Sequence, residues 1–299
     1  MSTYIKLDGS LGLKSFREQL SKFIDNNGRP IDDEFTIDVC ELKFVYPAGL
    51  VAVTNILNFL RKKRCHLVLG RPSTPSYSIE YLDDCGFFDH FFKKRLYPSR
   101  ATSYGATYIP LKVLKYAEYN SWLEGIVHPW ISGCLGFDIQ RRWPTFSTVL
   151  GEIFNNINDH AGEGGDIASS IMQHFPKKNE VHIAISDFGE SIPSKVREVL
   201  PEIESDGAAI LKAVEEHFST RSSPRNRGAG LDTIIQNTVK HNKGNAYIIS
   251  GHGQVHFGPE CPDGSPASHP IRYPGTMICL VLRTDTINQA EVHEEDFSW

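Results

Sequence analysis

Apolar residues along the first hundred positions change period several times. Tyr4–Leu7 reads as a short strand, after which Leu11, Leu13, Phe16, Leu20 and Phe23 recur at helical spacing until Asn26-Asn27-Gly28. Phe35–Val39 predicts a strand, and Pro47-Ala48-Gly49 punctuates the chain. Leu50, Val53, Ile56, Leu57 and Leu60 then form the stripe of an amphipathic helix. Cys65–Leu69 predicts a short buried strand, Arg71 to Ser76 a loop, and Tyr81, Leu82, Phe87 and Phe88 a helix with an aromatic cluster. Strands separated by helices imply an α/β layer domain over residues 1–105.

Tyr97 to Thr107 is rich in Pro, Ser, Gly and Thr and marks a boundary. Leu111 to Phe146 reads as helical but is interrupted by Pro129, Gly133, Gly136 and Pro144, so residues 106–145 are expected to be a helical connector. A second domain spans 146–285. Its expected elements are a long helix at Thr145–His160, a strand in which Val181, Ile183 and Ile185 alternate with His182, Ala184 and Ser186, and a helical piece around Ala208–His217. A helix from Leu231 to about His241 is capped by Lys243-Gly244, and strands follow at Ala246–Ser250 and Met277–Arg283. Residues 286–299 read as a loose tail.

The 299 residues suit two domains, and 40% hydrophobic with 22% charged residues is the balance of a globular chain. A net charge of -5 disfavours nucleic-acid binding over the whole surface, and Arg61–Arg64 reads as a solvated helix end. No run approaches the roughly 18 apolar residues a membrane span requires. The opening MSTYIKLDGS lacks a signal pattern, and the six cysteines are scattered without a CxxC, so reduced thiols in a cytoplasmic setting are expected. His252, His256, Cys261 and His269 fit no common zinc spacing and are expected in a solvated loop.

The candidate chemistry lies in the second domain. Glu152, Asn156 and Asp159 stand at relative positions zero, four and seven, which puts two acids and a carboxamide on one helix face. The segment Glu152–Ala161 resembles the asparagine box of the GHKL superfamily, which includes gyrase B subunits, MutL, heat-shock chaperones, histidine kinases and anti-sigma kinases. Asp187-Phe188-Gly189-Glu190-Ser191-Ile192-Pro193 resembles its first glycine motif, Arg227-Gly228-Ala229-Gly230-Leu231 its second, and Gly275-Thr276 before an apolar strand its last. The four stand in the family's order over roughly Phe146–Leu282. The resemblance implies a Bergerat-type α/β sandwich, with helices on one face of a mixed sheet, that binds ATP with Mg²⁺.

It also implies roles. Mg²⁺ is a hard ion that favours oxygen donors, and the family's asparagine, here Asn156, holds it. Glu152, a turn earlier, takes the general-base role toward the attacking water, and Asp159 contacts the nucleotide or a metal-bound water. Asp187 accepts from adenine's exocyclic amine, Gly189 lets the backbone approach the base, and Thr276 offers a hydroxyl near the adenine edge. Gly228, Gly230 and Leu231 open a helix whose N–H groups face phosphate, with Arg227 adding charge. Ser219, Thr220 and Arg221 belong to a lid over the phosphates. His160 matches a histidine of the anti-sigma kinases and equally a packed helix histidine. Ser191 departs from the family's second glycine, which would alter a lid hinge.

Phe35–Val53 is similar to STAS-type domains. Its turn reads Tyr46-Pro47-Ala48-Gly49-Leu50, without the hydroxyls that anti-sigma kinases phosphorylate. A protein-interaction or sensing module is therefore expected there, or else a plain packing domain. The combined expectation is a Mg²⁺-dependent ATPase acting as a regulatory switch, with a protein partner at the STAS-like module and an ATP-dependent homodimer. A serine/threonine protein kinase of the anti-sigma type and a non-catalytic scaffold are the alternatives.

Overall fold

Strand β1 runs further than its first apolar residues suggest, covering Thr3–Leu11 with Ile5, Leu7 and Leu11 buried. The computed structural model describes residues 2–97, 107–136, 138–142, 144–160, 168–215, 218 and 230–287, without the side chains of 116, 141, 142, 144, 145 and 155–160. Helix α1 (Leu13–Gln19) follows at once, so Leu11 ends the strand and does not start the helix stripe. β2 (Glu34–Val45) is 12 residues long, and β3 is His66–Gly70. The three strands form a parallel sheet in the order β1-β2-β3.

Helix α2 (Pro47–Lys62) starts one residue after β2. Pro47-Ala48-Gly49 is its first turn, where proline's missing N–H leaves no helical bond unmade. A Cβ on Gly49 would collide with the carbonyl of Leu11, so the glycine permits close approach to β1. The expected aromatic helix is two, α3 (Tyr77–Asp84) and α4 (Phe87–Phe92), divided at Gly86 with φ +81°.

The expected helical connector opens with a strand. β4 (Tyr108–Leu114) pairs with β5 (Ala168–Phe175) at the edge of a second, five-stranded sheet. Short helices α5 (Tyr119–Trp122), α6 (His128–Leu135) and α7 (Ile139–Arg142) lead to α8 (Pro144–His160). β6 (Glu180–Ser186) is followed by α9 (Ile192–Val199), α10 (Asp206–Ala213) and α11 (Leu231–Ile235), the last continuing as a π-helical stretch to His241. β7 (Asn245–Gly258) and β8 (Cys261–Arg283) form a long hairpin before α12 (Thr284–Ile287). The sheet order is β4-β5-β6-β8-β7. Every pairing is antiparallel among the described residues, not mixed as expected.

Both faces of this sheet are covered. Ile183, Ile185, Ile278 and Leu280 pack under Leu150 and Ile153 of α8, Ile210 of α10 and Ile234 of α11. On the opposite face Ile171, Ala184, Ile249, Met277 and Cys279 join one core with Leu50, Val51 and Leu57 of α2. The expectation of helices on one face only is therefore corrected. The cause is local: α2 is buried nearly all round, so it serves both sheets. No helix among the described residues is long and apolar enough to cross a membrane.

Candidate functional site

β6 lies at the centre of the sheet and ends at Ser186, which delivers Asp187 into the interior. Asp187 is 4% exposed. Its N–H donates to the carbonyl of Thr276 at 2.9 Å. Its Oδ1 accepts from the Gly189 N–H at 2.5 Å, and the backbone N–H of Thr276 donates to the same carboxylate. Burial raises the carboxyl from its ordinary 3.8 to about 7, against the opposing pull of those two N–H donors. No cationic side chain neutralises it among the described residues. A dry carboxyl held by backbone donors alone is costly in isolation and suits a ligand that brings its own N–H donor.

The turn before β8's last segment closes on Asp187. Gly275 has φ +88°, and a Cβ there would collide with the Asp187 carbonyl, so only glycine fits both the angle and the approach. The Thr276 hydroxyl lies 2.8 Å from Ser250 Oγ, which accepts from the N–H of Ile192 at 2.9 Å. Ser186 Oγ donates to the Thr276 carbonyl at 3.0 Å and lies 2.8 Å from the Tyr273 hydroxyl. Asp187, Gly189 and Thr276, distant in sequence, thus meet at one turn, and Gly189 is half-buried beside them.

Ser191 sits at the start of a helix. It is the N-cap of α9, with extended backbone (φ -69°), its Oγ accepting from the Ser194 N–H at 3.3 Å and from Arg272 at 3.3 Å. A serine is favoured at that position for the same reason it is disfavoured inside helices: its oxygen satisfies an orphan N–H.

Glu152 is buried, at 9% exposure, in the α8 helix. Asn156 and Asp159 fall on the same helix at the expected spacing, but their side chains, and that of His160, lie outside the described residues. α8 and α11 pack against each other on one face of the sheet. Gly230 is the N-cap of α11 with open space at its Cβ position, and Leu231 is buried in the same core as Ile153. Ser219, Thr220, Arg221, Arg227 and Gly228 lie outside the described residues.

The stretch expected as a solvated loop is the far part of the β7–β8 hairpin. There His256 bonds Asn245 Oδ1 at 2.9 Å and lies 3.5 Å from Cys261 Sγ, while His252 and His269 bond backbone carbonyls.

Sequence reasoning missed three contributors to the turn: Ser250, Tyr273 and, from the N-terminal half, Asn55. Only α2's second apolar face, with Val51 and Ala52 outside the recognised stripe, signalled that this helix has two neighbours. No protein-family model matches the chain, and no curated protein matches it.

Proposed function

We propose that residues 146–285 form an ATP-binding domain of the GHKL kind and that the chain is a Mg²⁺-dependent ATPase, a nucleotide-driven switch coupled to the STAS-like N-terminal half. The observation that carries this reading is the Asp187 turn. A buried carboxyl with no counter-ion among the described residues follows the central strand, with a half-buried glycine beside it and the Thr276 hydroxyl on the facing turn. That set suits an adenine edge: the exocyclic amine would donate to the carboxylate, and the Thr276 hydroxyl, held by the fully buried Ser250, would meet a ring nitrogen.

Glu152 supports the catalytic half of the proposal. An ordinary helix glutamate is solvated, whereas this one is buried beside the apolar core. Its carboxylate would orient the attacking water and take its proton, while Asn156, one turn on, would hold the metal and Asp159 a further contact. Mg²⁺, when bound, would neutralise charge on the phosphate oxygens. Arg227, Gly228 and Gly230 would receive the phosphates at the start of α11, and Ser219 and Thr220 would close over them.

Calorimetry with ATP, ADP and GTP, with and without Mg²⁺, tests binding, with adenine nucleotides expected to bind and GTP to bind far more weakly. The Glu152→Gln variant should keep ATP affinity and lose phosphate release by roughly 10²–10³-fold. Unchanged turnover in that variant would remove Glu152 from the chemistry. Following γ-labelled ATP separates the alternatives: label appears in free phosphate for the ATPase and in protein for a kinase of the anti-sigma type.

A further inference from the structure

The purine end of the proposed site is held from outside its own domain. Asn55 lies in the middle of α2 and is fully buried. Its side-chain nitrogen is 3.3 Å from the carbonyl oxygen of Asp187, 3.2 Å from that of Pro274 and 3.2 Å from the Tyr273 hydroxyl. Two of these are carbonyls, which only accept, so the amide must present its N–H groups to them. The remaining directions follow. With two N–H groups and three oxygens in reach, one N–H is shared between two acceptors; Tyr273 accepts in this set and donates to Ser186, and Ser186 donates to the Thr276 carbonyl. One amide therefore ties the strand that ends in Asp187 to the Gly275-Thr276 turn that faces it.

Asp187 makes the consequence concrete. Its N–H and its carboxylate are held by residues of its own domain, as described above. Its carbonyl is held by a residue 132 positions earlier. The next residue, Phe188, has its ring 6.5 Å from that of Phe59, one turn along α2 from Asn55. An apolar side chain here would leave the Asp187 and Pro274 carbonyls without this donor, and the Asn55 carbonyl oxygen is itself buried without a partner among the described residues, so what the amide contributes is the placing of those two carbonyls.

We propose, resting on the ATP-site reading above, that Asn55 is a positioning residue for purine recognition. It fixes the Asp187-Phe188-Gly189 peptide planes so that the carboxylate and Gly189 meet the adenine edge. By linkage, the seating of α2 on the sheet and the affinity for adenine are then coupled through the same bonds. Because Asn55 acts at the base, it contributes equally for ATP and ADP and leaves the chemical step alone.

The test uses the full chain and calorimetric titration of ATP, ADP and GTP, with steady-state turnover beside it. Asn55→Leu should weaken ATP and ADP by the same factor, about tenfold or more, the scale of one lost buried hydrogen bond. GTP binding should stay as weak as before, so base discrimination narrows. KM should rise with kcat within about twofold. Tyr273→Phe, which keeps the ring and removes only the hydroxyl link, should show the same pattern at about three- to fivefold, and it decides the matter if Asn55→Leu does not fold. Adenine affinity and base discrimination unchanged in a folded variant would overturn the inference while leaving the ATP site standing. Loss confined to ATP, with ADP unaffected, would also overturn it, since that places the effect at the phosphates. A wild-type chain that binds no adenine nucleotide would bring down the ATP reading and this inference together.

Discussion

The two faces of the five-stranded sheet are built for different purposes. Toward α8, α10 and α11 the contacts are mainly apolar, with Ile183, Ile185, Ile278 and Leu280 each at most 4% exposed. Toward α2 the same strands present Ala184, Ser186, Met277 and Tyr273, and polar groups are threaded through the contact. Apolar contacts are non-directional and tolerate small shifts, whereas a buried hydrogen-bond chain has one satisfied arrangement. The first face contributes stability; the second fixes where the Asp187 turn sits.

The largest expected effect comes from Asp187 and discriminates the faces through pH. Its folded-state carboxyl lies at about 7 against an ordinary 3.8, so the native state holds a proton that the unfolded chain releases. Stability from this group is therefore fully present below about pH 4 and is lost as pH rises toward 7. About three pKa units at about 1.4 kcal/mol each give a loss on the order of 4 kcal/mol. Denaturant midpoints measured across that range should show wild type falling relative to Asp187→Asn as pH rises from about 4 to about 7; parallel curves would refute the shifted carboxyl. Below pH 7 adenine nucleotide binding should also release protons, read as a buffer-dependent binding enthalpy.

Ile183→Ala should cost about 3 kcal/mol by denaturant unfolding, with base discrimination unchanged. A large change in discrimination there would break the division between the faces. Gly275→Ala should cost about 2 kcal/mol through its left-handed backbone and should weaken adenine binding as well, because the new methyl meets the Asp187 carbonyl. The smallest effect belongs to Ser191. Replacing it with Ala should cost about 1 kcal/mol and with Gly a few tenths, both without altering turnover. Faster turnover in Ser191→Gly would restore the hinge role that the motif suggests.

The alternation of Val181, Ile183 and Ile185 marked β6 correctly, but it reads as a strand with one wet face. Ala184 and Ser186 are in fact dry, because α2 covers them, and no local period records a helix more than a hundred residues away. The strand β5, with its run Ala168-Ser169-Ser170-Ile171, carries no clean alternation for the same reason: both its faces are buried. The far part of β8 was hidden by Pro262, Pro266 and Pro270, which read as loop yet sit in an extended hairpin arm beyond the sheet's centre. At the candidate site, glycines and acids were legible because their types are restricted by chemistry. Asn55 was not: an amide within an apolar helix has no sequence signature, and only its three oxygen neighbours give it meaning.

The shared helix sets where this chain can be cut. A fragment starting after residue 106 would keep β4 and all the strands it joins, yet it would bare Ile171, Ala184, Ile249 and Met277 to water and leave the Asp187 carbonyl without its amide donor. Such a piece should self-associate on expression, whereas supplying residues 1–97 as a separate polypeptide should restore a discrete, soluble particle. The boundary that composition draws through the middle of the sequence is a boundary in the backbone only; in packing terms α2 belongs to both halves.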